Sequence, residues 1–175
     1  MNFPSGSYKC IVADPPWQYN SVRTGGSMKS GAASHYPTMS LQEICDLPVP
    51  SISSKHTVLF LWTTTPLLDY GLSVMHAWGF TYKTTLYWHK EGRKGLGYYF
   101  NGDVEPCLMG TRGTVKAFRT NKSNVIREKP RKHSQKPEAF WTLIEPVIQQ
   151  FDLNPKIELF ARETRDSWDC WGNQV

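Results

Sequence analysis

Apolar positions fall into two patterns, short continuous runs and runs spaced three and four apart, and the two alternate along the chain. Cys10-Ile11-Val12-Ala13 suits a buried strand that ends at about Asp14, because Pro15 and Pro16 donate no ladder hydrogen bonds. Thr57 to Trp62 is an unbroken apolar run of strand length and predicts an interior strand. Residues 80–88 and 104–110 predict two further strands joined by the glycine-rich loop 91–103. Lys156 to Arg162 reads as the last strong strand and Ser167 to Trp171 as a short one. Between them lie helical signals. Ser40 with Glu43 forms a capping box for a short helix through Leu41, Ile44 and Leu47 that stops at Pro48. Pro66 opens an amphipathic helix through Leu68, Leu72, Met75 and Trp78 that closes at Gly79. Pro137 opens a third, Glu138 to about Phe151, with Phe140, Ile144 and Val147 on one face and a kink expected at Pro146. Strands alternating with helices predict an α/β sandwich with a largely parallel sheet. Residues 18–38, rich in serine and glycine, predict a long functional loop.

A chain of 175 residues is long enough for one well-buried core, so one domain without a separate recognition domain is expected. Seven tryptophans exceed what such a core needs, and some should face ligands. The net charge of +5 is unevenly spread. Nine basic residues between Arg112 and Lys136, among them Arg119, Lys122, Arg131 and Lys132, face one acid, Glu128; that surplus of eight leaves the remainder at −3. Such a concentration reads as a phosphate-facing surface or a solvated loop. The four cysteines are widely spaced with no Cys-x-x-Cys pair, which argues against a zinc site and fits a reducing compartment. No run approaches the ~20 apolar residues of a membrane span, and the N-terminus lacks secretory-signal features. A soluble cytoplasmic protein is expected.

Asp14 supplies the candidate chemistry. A carboxylate at the C-terminal end of a strand lies where ligands enter open α/β sheets. Two prolines stiffen the backbone beyond it, so the carboxylate and nearby carbonyls become fixed acceptors, with the Trp17 indole beside them. The arrangement suits a planar group bearing N–H donors, such as the amino group of adenine or cytosine. It suits equally a strand-ending turn with Trp17 in the core.

Eight blocks in order carry a family likeness: Asp14-Pro15-Pro16-Trp17, His35-Tyr36-Pro37-Thr38-Met39-Ser40, Leu59-Phe60-Leu61-Trp62, Ala77-Trp78-Gly79-Phe80, Glu105-Pro106-Cys107-Leu108, His133-Ser134-Gln135-Lys136-Pro137, Glu158-Leu159-Phe160-Ala161-Arg162 and Trp171-Gly172-Asn173-Gln174. The chain resembles the MT-A70 family of S-adenosylmethionine-dependent adenine N(6)-methyltransferases. The resemblance implies a Rossmann-like class I methyltransferase sandwich in permuted order, with the catalytic strand first and the cofactor-binding strands last. That order accounts for the absence of a Gly-x-Gly-x-x-Gly loop after the first strand. It implies catalysis at Asp14, Pro15, Pro16 and Trp17, where Asp14 and the Pro15 carbonyl accept the adenine amino protons and Trp17 stacks on the base. It implies S-adenosyl-L-methionine held by Asp14, Lys136, Phe160, Arg162, Asn173 and Gln174. Tyr36 matches a family residue near the acceptor adenine; Trp62 and Trp88 are further substrate candidates, although both end apolar strands and would also serve to close the core. Arg119, Lys122, Arg131 and Lys132 are the candidate phosphate contacts. The His-Asn that follows the arginine in the family is replaced by Glu163-Thr164-Arg165. The expected partner is nucleic acid, DNA before RNA, with a homodimer or partner subunit also expected to be compatible; a catalytically silent nucleic-acid-binding subunit is the contrasting class.

Overall fold

The first strand, β1 (Tyr8–Ala13), lies inside the sheet, between β2 (Ser53–Trp62) and β6 (Lys156–Leu159) and parallel to both, and helices bury both its faces. The structure is a computed structural model in which residues 2–18, 37–92, 99–131, 135–173 and 175 are described. Among these, β3 (Thr81–Lys90), β4 (Val104–Arg112), β5 (Val125–Glu128) and β7 (Asp169–Trp171) complete one seven-stranded sheet of order β5-β3-β4-β2-β1-β6-β7. β4 alone runs against the rest, antiparallel to both β2 and β3.

Helices α1 (Leu41–Cys45), α2 (Val49–Ile52) and α3 (Leu68–Ala77) lie against one face, where Ile44, Trp78 and Met75 join Ile11, Leu59 and Leu61. Helix α4 (Glu138–Gln150) covers the other, where Phe140, Ile144 and Ile148 pack on Val12, Phe60 and Trp62. The pattern of two apolar layers follows from period two along the interior strands, whose alternate side chains must each find a helix. No helix among the described residues is long and apolar enough to cross a membrane.

The Ser40–Glu43 capping box forms as its spacing requires, each side chain satisfying the other residue's backbone N–H. Pro146 lies within α4, which continues through it to Gln150. Two expectations change. The last strong strand stops at Leu159 because Phe160 takes a left-handed backbone, φ 62°. The basic stretch is not wholly irregular: Val125–Glu128 pairs with β3 as an edge strand.

That edge strand splits the basic stretch. β4 carries the chain to the edge opposite Asp14, where Arg112 donates to the Pro50 carbonyl at 2.8 Å and the Thr114 N–H donates to His56 Nδ1 at 2.9 Å. Arg119 and Lys122 are exposed on the connection climbing back from there. β5, parallel to β3, then delivers Lys129, Arg131 and Lys136 to the Asp14 edge.

Candidate active site at the carboxyl edge of the sheet

Asp14 follows β1 and is pinned on both sides. Its N–H points to the Leu159 carbonyl of β6 at 3.4 Å, and beyond it the Trp17 N–H donates to the Pro15 carbonyl at 2.9 Å, a tight three-residue turn. Met39 N–H donates to the Pro16 carbonyl at 2.8 Å, and Gln18 N–H to the Met39 carbonyl at 3.1 Å, so the far strand of the long loop clamps the turn. The Pro15 carbonyl already accepts one bond and retains a second lone pair.

Around the carboxylate lies a chain of alternating charges. Lys136 Nζ lies 2.9 Å from Asp14 Oδ1 and 2.5 Å from Glu105 Oε1; Lys90 Nζ lies 2.5 Å from Glu105 Oε2; Arg162 Nε lies 4.0 Å from Asp14 Oδ2. Lys136 also sits over the Trp62 ring, 5.1 Å from its centroid. Three cations thus face two carboxylates, and Glu158 and Glu163 line the cleft beside them.

Burial sets the acid–base character of the cluster. It raises the Asp14 carboxyl above the usual range, and Glu105 raises it further, while Lys136 and Arg162 pull it back. Burial also opposes ionisation of Glu105, but Lys136 and Lys90 outweigh it and hold that carboxyl below its usual value. Burial alone would depress the Lys136 ammonium; the carboxylates of Asp14 and Glu105 overcome it and hold the ammonium above its usual value. Lys136 is therefore a fixed cation.

Beside Asp14 a cleft is lined by Gln135, Lys136, Glu158, Phe160, Arg162 and Glu163. It encloses about 20 Å³, room for one water. Glu158 is the second titrating group there: burial, then the negative charge of Asp14, lifts its carboxyl to about 7. The wall behind Phe160 is closely packed, since a Cβ on Gly172 would collide with the backbone of Ala161.

The MT-A70 family profile matches residues 8–174. The chain belongs to the MT-A70 family. It is 32% identical over 193 residues to the type II methyltransferase M.MunI of a Mycoplasma species, covering 98% of this chain and 79% of that protein. It is 30% identical over 179 residues to a putative N(6)-adenosine-methyltransferase MT-A70-like protein of Medicago truncatula, and 28% identical over 183 residues to the human N(6)-adenosine-methyltransferase catalytic subunit METTL3. Each of those two matches covers 97% of this chain but only 27% and 28% of the relative, so the chain spans about a quarter of their length.

Within this MT-A70 chain the structure brings Asp14, Lys136, Phe160 and Arg162 to one cleft. It moves other candidates elsewhere. Trp17 is only 6% exposed, in the apolar layer of Ile44 and Leu61, and its Nε1–H donates to the Trp62 carbonyl at 3.1 Å. Its ring offers no open face to a base, because the turn at Pro15 directs it inward. Trp62 and Trp88 are 0% and 3% exposed and meet each other edge to face, with Phe140 against Trp62. They pack in the core beneath the cluster.

Arg131 differs in another way from a phosphate contact. Its Nη2 donates to the Lys136 carbonyl at 2.9 Å and pairs with Glu138 at 3.3 Å, which fixes the backbone presenting Lys136. Glu128, the single acid of the basic stretch, caps α4: its two oxygens accept the Glu138 and Ala139 N–H groups at 2.9 and 2.8 Å. Asn173 is exposed. Tyr36, Lys132 and Gln174 lie outside the described residues.

Sequence reasoning missed Glu105, Lys90 and Glu158 as site residues. Glu105 had a signal: an acid at the head of an apolar strand run is rarely buried without a partner, and here it is 8% exposed. Which cations meet it depends on the lateral order of β3 and β4, which no local pattern encodes.

Proposed function

We propose that this chain transfers a methyl group from S-adenosylmethionine to the exocyclic N(6) of adenine in DNA. The observation that carries the reading is the fixed carboxylate at the carboxyl edge: Asp14, held through Oδ1 by Lys136 at 2.9 Å and faced at Oδ2 by Arg162 Nε at 4.0 Å, with the Pro15 carbonyl next along the turn. An adenine amino nitrogen is a weak nucleophile because its lone pair is delocalised into the ring. Asp14 Oδ2 and the second lone pair of Pro15 accept the two amino protons, so the nitrogen can pyramidalise and localise that pair. The carboxylate also favours the positive charge that develops on nitrogen. Lys136 orients Asp14 and favours its ionised form against the burial that raises its pKa.

Residues lining the cleft fit the amino-acid end of the cofactor, which carries an ammonium and a carboxylate. Asp14 and Glu158 supply the acceptors; the cations Lys136 and Arg162 suit the carboxylate. When bound, S-adenosylmethionine supplies a sulfonium methyl group as electrophile. Asp14 therefore borders both ligands. The chain order supports the permuted reading: β1 with Asp14 comes first yet lies inside the sheet, and β6 and β7, which lead to Phe160, Arg162 and Asn173, come last. We read residues 1–175 as a single methyltransferase domain.

DNA is preferred because the chain matches 79% of a compact type II methyltransferase. RNA is the second reading, favoured by the relatives named N(6)-adenosine-methyltransferases. Incubation with methyl-labelled cofactor and adenine-containing DNA or RNA oligonucleotides, followed by nucleoside analysis, decides between them. Label in N(6)-methyldeoxyadenosine is the expected result; label only in RNA overturns the DNA assignment, and label in cytosine overturns the base.

A further inference from the structure

Two aromatic side chains stand apart from every other large apolar residue described. Tyr99 is 86% and Phe100 is 89% exposed, whereas the remaining exposed large hydrophobics lie between 36% and 44%. An aromatic ring left in water forfeits the burial that ordinarily places it in a core, and two adjacent ones demand a reason.

Their place in the fold gives it. They lie on the connection between β3 and β4, which leaves the sheet at Lys90 and re-enters at Val104. Lys90 is the last residue of β3, Glu105 the second of β4, and the two are joined at 2.5 Å in the cluster that also holds Lys136 and Asp14. Tyr99 and Phe100 are therefore presented from the same edge of the sheet as the reactive carboxylate, a few residues along the backbone from its ion-pair partners. The same edge receives exposed Lys129 from the end of β5. Aromatic faces beside cations, next to a site that handles a base, form the combination that binds an unpaired nucleic-acid strand: rings stack on bases and cations meet phosphates.

Resting on the adenine-methylation reading, we infer that Tyr99 and Phe100 form a stacking contact for the nucleotides flanking the target adenine. This contact supplies the base-facing aromatic surface that Trp17, Trp62 and Trp88 cannot offer, since all three are buried. It also assigns the substrate class as a strand whose bases are unstacked at the site, either single-stranded or locally opened duplex. A second protein surface is the competing occupant of such a patch.

The test uses the full chain and fluorescently labelled single-stranded DNA containing one adenine, read by anisotropy, with methyl transfer to the same oligonucleotide read in parallel. Wild-type methylation of that DNA confirms the parent reading separately; its absence defeats that reading and not this one, which the binding measurement still decides. Tyr99→Ala with Phe100→Ala is expected to weaken DNA binding at least tenfold and to raise KM for DNA with kcat within about threefold. Phe100→Trp in the Tyr99→Ala background should regain most of the loss and Phe100→Leu should not, because stacking needs a π face and apolar burial does not. Unchanged binding in the double variant overturns the inference. Equal rescue by leucine, or a shift in sedimentation from dimer to monomer with intact DNA binding per protomer, also overturns it and assigns the patch to a protein partner.

Discussion

Lys136 and Lys156 sit in nearly the same chemical setting and do different things. Each ammonium lies over an indole, Trp62 and Trp168 respectively, 5.1 Å from the centroid, and each pairs with a carboxylate, Asp14 at 2.9 Å and Glu145 at 2.8 Å. Lys156 begins β6, at the opposite edge from Asp14, and is 4% exposed. Its partner Glu145 also accepts a hydrogen bond from Trp168 Nε1, so one cation meets one anion and the group is closed. Lys136 sits at the carboxyl edge, between two carboxylates that are themselves bonded to further cations, beside a cleft. The same trio of residue types is thus a staple where one cation closes on one anion inside the protein, and part of a candidate site where a longer chain of charges opens on a cleft.

Replacing each lysine separates the two roles. Lys136→Met should lower methyl transfer by about 10²–10³-fold, because it takes from Asp14 the cation that orients it and favours its ionised form, on the scale of losing that one group aimed at developing charge, and this is read as kcat/KM on folded protein. Lys156→Met should cost ~3–5 kcal/mol of stability by stranding Glu145, read by denaturant unfolding, while kcat/KM of the folded fraction stays within about twofold. Joining Lys156→Met to Glu145→Gln should recover much of that stability, whereas joining Lys136→Met to Glu105→Gln should recover no activity. If Lys156→Met abolishes transfer in folded protein, the contrast fails.

Trp17→Ala should destabilise by ~3–5 kcal/mol, the range for emptying a buried aromatic site; a variant that keeps wild-type stability but loses DNA binding would restore the stacking role. Glu158 sharpens the cleft side. Its folded-state carboxyl titrates at about 7 against an ordinary 4.5, so the folded protein binds the proton more tightly than the unfolded chain does. That contribution is fully present below about pH 4.5 and is lost as pH rises through 7, amounting to roughly 3 kcal/mol at most. Glu158→Gln should therefore raise stability at pH 8, leave it nearly unchanged at pH 4, and flatten the profile between. The smallest effect falls on α4: Glu128→Ala removes its cap and should cost ~0.5–2 kcal/mol, seen in the same unfolding measurement.

What could be read along the chain follows from how local each signal is. The end of β1 at Asp14, the Ser40 capping box, the interior strand through Trp62 and the helix opened by Pro137 are each written in a few neighbouring residues, and all formed. β5 was hidden because Val125-Ile126-Arg127-Glu128 is a four-residue edge strand with one buried side chain, set in a run of charges. The direction of Trp17 depends on a turn closed by Met39, more than twenty residues away. The basic run looked like one surface in sequence, but β4 and β5 send its two halves to opposite edges. Lys136 was legible and its network was not, since Glu105 and Lys90 meet it only through strand order.

The most direct test replaces Asp14 with asparagine, which keeps size but removes the charge that faces Lys136 and turns one of the two acceptor oxygens into a donor. Transfer of labelled methyl to adenine-containing DNA should fall by about 10³-fold or more in protein whose circular dichroism spectrum matches the parent. Transfer at the parental rate from such folded Asp14→Asn protein would contradict the account.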